Sequence, residues 1–78
     1  MEAYVFINSD PGDLWQITEA MLKIDGIKMA HAVTGQFDVV AYAEFSNIDG
    51  LRDIIDSVRS LKGVQKTQTA IAIPPRLK

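Results

Sequence analysis

Leu14-Trp-Gln-Ile-Thr-Glu-Ala-Met-Leu-Lys-Ile-Asp-Gly-Ile27 and Leu51-Arg-Asp-Ile-Ile-Asp-Ser-Val-Arg-Ser-Leu-Lys-Gly-Val64 carry one apolar pattern twice, 37 positions apart. Leu14, Ile17, Met21 and Ile24 recur at helical spacing and mark one buried face. Leu51, Ile54, Val58 and Leu61 repeat that face, joined by Ile55. A glycine ends each pattern, Gly26 before Ile27 and Gly63 before Val64. Each copy therefore reads as a helix that stops and passes straight into a strand.

The flanking residues complete the units. Ala3-Tyr-Val-Phe-Ile-Asn8 is a β-branched and aromatic run, the mark of a strand. Asp10 reads as the cap of the first helix, with Pro11 in its first turn and Asp13 near its positive end. Ile27 to Thr34 and Asp38 to Phe45 read as the second and third strands. Ser46-Asn-Ile-Asp49 reads as the cap of the second helix. Val64 to Ile73 forms the last strand, closed by Pro74-Pro75 because proline cannot continue a ladder. The order β-α-β-β-α-β predicts an α+β, ferredoxin-like fold. It has a four-stranded antiparallel sheet with two helices on one face. One domain is expected over 1–78, with a flexible tail over 74–78.

Two helices cover only one face of such a sheet. The first strand splits into Val5 and Ile7 against Tyr4 and Phe6, and the third into Val39, Ala41, Ala43 and Phe45 against Val40 and Tyr42. Both faces are apolar, where a sheet with one wet face alternates apolar with polar. Soluble monomers avoid an exposed apolar patch of that size. The pattern predicts a homodimer whose sheets pair face to face. Size points the same way: a small domain buries only about 60% of its unfolded surface. With 78 residues, 47% of them hydrophobic, and no cysteine, oligomerisation is the remaining common remedy.

Charge and composition narrow the function. The net charge is −2 and no basic run precedes Arg76-Leu-Lys78, which disfavours direct nucleic-acid binding. No stretch approaches the roughly 20 apolar residues of a membrane span. The N-terminus has neither the basic region nor the cleavage site of a signal peptide. A cytoplasmic protein with no membrane partner is expected. One histidine and no cysteine cannot build a structural zinc site, and no metal or cofactor is implied. His31 has no suggestively placed serine or cysteine, so it reads as a packing or interface residue and no catalytic residue is assigned. Trp15 lies one residue off the Leu14 face, as either a subunit anchor or a core-edge aromatic. Arg52, Asp53, Asp56 and Arg59 form the solvated side of the second helix.

The residues between the middle strands carry the chemistry. Thr34-Gly35-Gln36-Phe37-Asp38 joins a glycine, which tolerates positive φ and exposes backbone N–H groups, to a fixed carboxylate. N–H donors and a carboxylate suit a small zwitterion, and the same residues also serve any tight turn.

Gly26-Ile27, Val33-Thr-Gly-x-x-Asp38 and Gly63-Val64-Gln-Lys-Thr67-Gln-Thr69-Ala-Ile71-Ala-Ile73 together resemble the effector domain of the Lrp/AsnC regulators, the RAM domain (regulation of amino-acid metabolism). The resemblance covers nearly the whole chain. It implies dimerisation through the sheet, assembly of dimers into octameric or decameric rings, and binding of an amino acid or similar effector between dimers. It places Gly35 and Asp38 at the ligand's main-chain groups, with Gln36 and Phe37 at variable positions that tune binding. Thr67 and Thr69 match the family's last strand and are expected beside the ligand. Family regulators carry an N-terminal helix-turn-helix for which no room precedes the first strand here. The resemblance is therefore to a stand-alone effector domain acting on transcription regulators or metabolic partners, full-length Lrp/AsnC proteins among them. Two other readings share the topology. One is a dimeric α+β barrel enzyme with His31 as proton carrier; the other is a purely structural co-assembly module. An ACT-type sensor is disfavoured because Asn8-Ser-Asp-Pro-Gly12 lacks the usual glycine-rich loop.

Overall fold

The structure is a computed structural model in which residues 1–76 are described. Its elements are β1 (Glu2–Ser9), α1 (Leu14–Met21), β2 (Ile27–Ala32), β3 (Val39–Glu44), α2 (Ile48–Arg59) and β4 (Val64–Ile71). The sheet order is β2-β3-β1-β4, with every neighbouring pair antiparallel. This is the ferredoxin-like βαββαβ architecture expected from the doubled pattern. Each β-α-β crossover skips one position in the sheet, so the partner unit's strand fills the gap.

The core lies between the sheet and the helices. Ala3, Val5 and Ile7 of β1 and Val39, Ala41 and Ala43 of β3 are buried beneath Ile17 and Met21 of α1 and Leu51, Ile54 and Val58 of α2. The alternation on β1 and β3 is the one read from the sequence. Tyr4, Phe6, Val40 and Tyr42 point to the face without helices, where Tyr4 is 40% exposed and its ring lies 5.5 Å from that of Tyr42.

The internal repeat survives in the hydrogen bonds. Ile24 N–H donates to Met21 O and Ile27 N–H to Ile24 O; 37 positions on, Leu61 N–H donates to Val58 O and Val64 N–H to Leu61 O. Each helix thus unwinds through two tight turns into a glycine of positive φ, +97° at Gly26 and +92° at Gly63. Glycine is also required sterically. A Cβ on Gly26 would lie 2.7 Å from the Ile54 Cδ1, and one on Gly63 2.6 Å from an Asp13 carboxylate oxygen.

The caps and several boundaries differ from the sequence reading. Asp10 does not cap α1. Its amide donates to Gly63 O at 2.8 Å and its carboxylate accepts from the Gln65 side chain, so it is committed to β4. Asp10 to Asp13 form a turn instead, and the helix opens at Leu14 after Asp13, whose side chain makes no cap bond. It ends at Met21, earlier than the Ile24 periodicity suggests. At α2 the cap is Asn47, one residue beyond Ser46; its side-chain oxygen accepts from Gly50 N–H at 2.9 Å. β4 stops at Ile71, although Ala72 N–H still donates to Glu2 O. The tail expected over 74–78 falls in part on residues 77–78, outside the described residues. Among the described residues no helix is long and apolar enough to cross a membrane.

Two glycines of similar φ separate steric from conformational demand. Gly12 has φ +92° with nothing within 4 Å of a built Cβ, whereas Gly26 has φ +97° and a filled neighbourhood. Gly12→Ala is expected to cost about 1–2 kcal/mol from positive φ alone. Gly26→Ala adds overpacking and is expected to cost about 2–4 kcal/mol. Urea unfolding of both variants checks this, and equal losses would show that Ile54 yields freely.

Candidate functional site

The β2–β3 turn is built by the far end of β1. Val33 N–H donates to Asp38 O at 2.9 Å and closes the loop, while Asp38 N–H donates to Ile7 O at 2.8 Å. The pairing of β1 with β4 slips between Asn8 and Ser9, a bulge of the kind that re-aims groups near functional sites. Ser9 N–H then donates to the Asp38 carboxylate at 2.8 Å, and the Asn8 side-chain amide donates to Gln36 O at 2.8 Å. Four bonds thus fix a loop that contains no regular structure.

What the loop presents outward is polar. Gly35, at φ +108°, is exposed with open space around it. Among the described residues the amides of Gly35, Gln36 and Phe37 donate to no protein acceptor. Among the described residues Asp38 has one oxygen engaged, by Ser9, which leaves the second for another donor. The tip therefore sets backbone donors beside a half-used carboxylate. Phe37 turns the other way: its ring packs on Phe6, with centroids 5.1 Å apart, on the helix-free face.

The six residues singled out in the sequence fall in two places. Gly35, Gln36, Phe37 and Asp38 share the loop. Thr67 and Thr69 lie on β4 in register with Ile7 and Val5, on the helix side of the sheet and half-buried. β1 separates them from β3, roughly 10 Å at two strand spacings. One protomer does not bring the threonines to the loop. Thr67 instead lines an open groove of about 490 Å³ with Arg59, Val64, Gln65 and Lys66. A second cleft of about 360 Å³, at the opposite end of the sheet, includes Asp25, Glu44 and Asp53. His31 is exposed on the helix-free face opposite Val40 and lines neither groove. Asn8 and Ser9 were not singled out from the sequence. Their only signal is a polar pair ending an otherwise apolar strand.

The family model described as the Lrp/AsnC ligand binding domain matches residues 2–75. The chain belongs to the Lrp/AsnC ligand-binding domain family. An HTH-type transcriptional regulator, LysM, of Sulfurisphaera tokodaii is 31% identical over 58 residues, 74% of this chain and 41% of that protein. The chain spans about half or less of the length of the curated relatives it matches first. A crystal structure from Thermus thermophilus superposes with a TM-score of 0.90 at 26% identity, covering 99% of this chain and 98% of that one. A Neisseria meningitidis transcriptional regulator, solved as a complex with L-Met, shares the fold at a TM-score of 0.83 and 20% identity, covering 94% of this chain and 49% of that one. The resemblance read from Val33-Thr-Gly-x-x-Asp38 and the last strand thus places the chain in the right family.

The Ser9 bond gives the Lrp/AsnC-type loop a stability test. Asp38→Ala removes a charged acceptor from a part-buried amide and is expected to cost about 1.5–3 kcal/mol. Asp38→Asn keeps an oxygen for Ser9 and is expected to lose less than about 1 kcal/mol. Chemical denaturation reads both; an unchanged Asp38→Ala would mean the clamp contributes nothing to the fold.

Proposed function

We propose that this chain is a cytoplasmic effector-binding and oligomerisation module. It receives an amino acid or related metabolite at the Gly35–Asp38 loop and passes that state to transcription regulators or metabolic partners without binding DNA itself. The observation that carries the reading is the loop tip, where unpartnered amides adjoin the free oxygen of Asp38. The amides suit an α-carboxylate and the oxygen suits an α-ammonium, a charge-assisted pairing. The family's description as a ligand-binding domain and the L-Met complex of the Neisseria regulator support it. An exposed tip encloses little of a ligand, so a second dimer closes the site, in rings of the octameric or decameric kind.

The dimer is read from the helix-free face. Met29, Val40, Tyr42, Tyr4, Phe6 and Phe37 form a continuous apolar surface there, part-exposed in one protomer. A second copy of the same face covers it, as in an isologous contact. Tyr42→Lys places a charge near the middle of that surface and is expected to give monomers by sedimentation. An unchanged dimer mass would refute the sheet-face contact.

Binding is tested by thermal shift against the twenty amino acids, since a ligand of the native state raises Tm by mass action. Calorimetric titration of the one that shifts melting then compares wild type with Asp38→Asn. Asparagine retains the Ser9 bond and loses the charge, so affinity is expected to fall about 5- to 150-fold while stability holds. Equal affinities would remove Asp38 from the site, and the absence of any millimolar amino-acid ligand would overturn the sensing role.

A further inference from the structure

The two open grooves at opposite ends of the sheet carry opposite charge. The cleft of about 360 Å³ has Asp25, Glu44 and Asp53 as its charged lining. The groove of about 490 Å³ has Arg59 and Lys66, beside Thr67. Its size falls within the roughly 300–1,000 Å³ of small-molecule sites. Among the described residues neither Arg59 nor Lys66 forms an ion pair. Gln65 is committed elsewhere, its side-chain amide donating to the Asp10 carboxylate outside the groove lining. Each cation has a local reason to be basic. Arg59 ends α2, where positive charge suits the helix dipole, and Lys66 lies on an edge strand, where lysine discourages stray pairing. Neither reason requires both to line one groove with no carboxylate between them.

The basic groove and the Gly35–Asp38 loop share an end of the sheet and flank β1. Asn8 stands opposite Lys66 in the ladder, and its side-chain amide donates to Gln36 O. Ser9 stands opposite Val64, and its amide donates to the Asp38 carboxylate. Two strand spacings, roughly 10 Å, keep loop and groove apart within a protomer. A loop and a groove that enclose one small ligand therefore belong to different copies. Charge decides which groove a neighbour offers. Asp38 is the only charged side chain from Val33 to Asp38. It is attracted by Arg59 and Lys66 and repelled by Asp25, Glu44 and Asp53.

Resting on the effector-binding loop proposed above, we infer that the effector is an amino acid with an acidic side chain. Its α-carboxylate and α-ammonium lie on the loop of one copy, and its side-chain carboxylate lies between Arg59 and Lys66 of a neighbouring copy. A guanidinium takes a carboxylate through two parallel N–H···O bonds, and a lysine adds a point charge. The charges then balance: Asp38 offsets one of the two cations, and the net negative charge of the ligand offsets the other. A neutral amino acid would leave one cation enclosed without a counter-charge, which is costly.

Thermal shift followed by calorimetric titration tests this on the intact chain with L-glutamate, L-aspartate, their side-chain amides, L-lysine and L-leucine. Circular dichroism confirms that each variant folds. One of the two acids is expected to bind about tenfold or more tightly than its own amide. Arg59→Gln and Lys66→Gln are each expected to narrow that preference, and Asp38→Asn, at the α-groups, to weaken acid and amide alike. Equal binding of acid and amide would overturn the inference, as would an acid preference that both glutamine substitutions leave intact. Tighter binding of lysine would overturn it too and would make the acidic cleft the closing wall. In each of these cases weaker binding by Asp38→Asn leaves the loop reading standing. No shift with any of the twenty amino acids would remove the loop reading and this inference together.

Discussion

A four-stranded sheet has two faces, and this chain supplies helices for only one of them. Most of the architecture answers to that constraint. The buried set, from Ala3 to Val58, is spent entirely between sheet and helices. The other face keeps aromatic and aliphatic side chains that one protomer leaves half-covered. Apolar area of this kind is the dominant favourable term in association. A small domain's own core leaves only a narrow margin over chain entropy.

The same constraint shapes the loop at the end of the sheet. Gly35 and Asp38 belong to an irregular segment, and such segments hold position only when neighbouring elements specify them. Here β1, one of the two inner strands of the sheet, supplies Ile7, Asn8 and Ser9 as the loop's bonding partners. The loop's backbone shape is thus set by the most deeply packed strand, while its outward amides stay free. A preorganised tip of this sort loses less entropy when it orders around a ligand.

The fold was legible because two independent signals coincided. The apolar spacing gave two helices, and Gly26 and Gly63 gave identical stops at the same offset. Those glycines are fixed both by positive φ and by contact, so their positions leave little freedom. The caps were less legible. Asp10 has every local feature of an N-cap, yet its amide and carboxylate are drawn to Gly63 and Gln65, more than fifty residues away. Local preference of about 1 kcal/mol yields to such tertiary bonds. The loop residues were legible as a turn of unusual chemistry, but the Asn8 and Ser9 contacts depend on strand register across β1 and β3, which single-strand patterns do not encode. The family motif found Thr67 and Thr69 as well, but their distance from the loop follows from strand order, with β1 between β3 and β4.

Phe37 ties the two halves of the functional proposal together. Its backbone lies in the loop that carries the free amides, and its ring lies on Phe6, which stands opposite Val40 on the helix-free face. Any partner that compresses this face presses on a ring one residue from Asp38. Reciprocity requires that if dimer contact alters the loop's affinity for an effector, the effector alters dimer affinity by the same factor. The loop and the face are therefore not separable devices placed side by side. They share one aromatic contact, Phe6 on Phe37, and a ligand bound at the tip would reach the apolar side chains of the helix-free face through it.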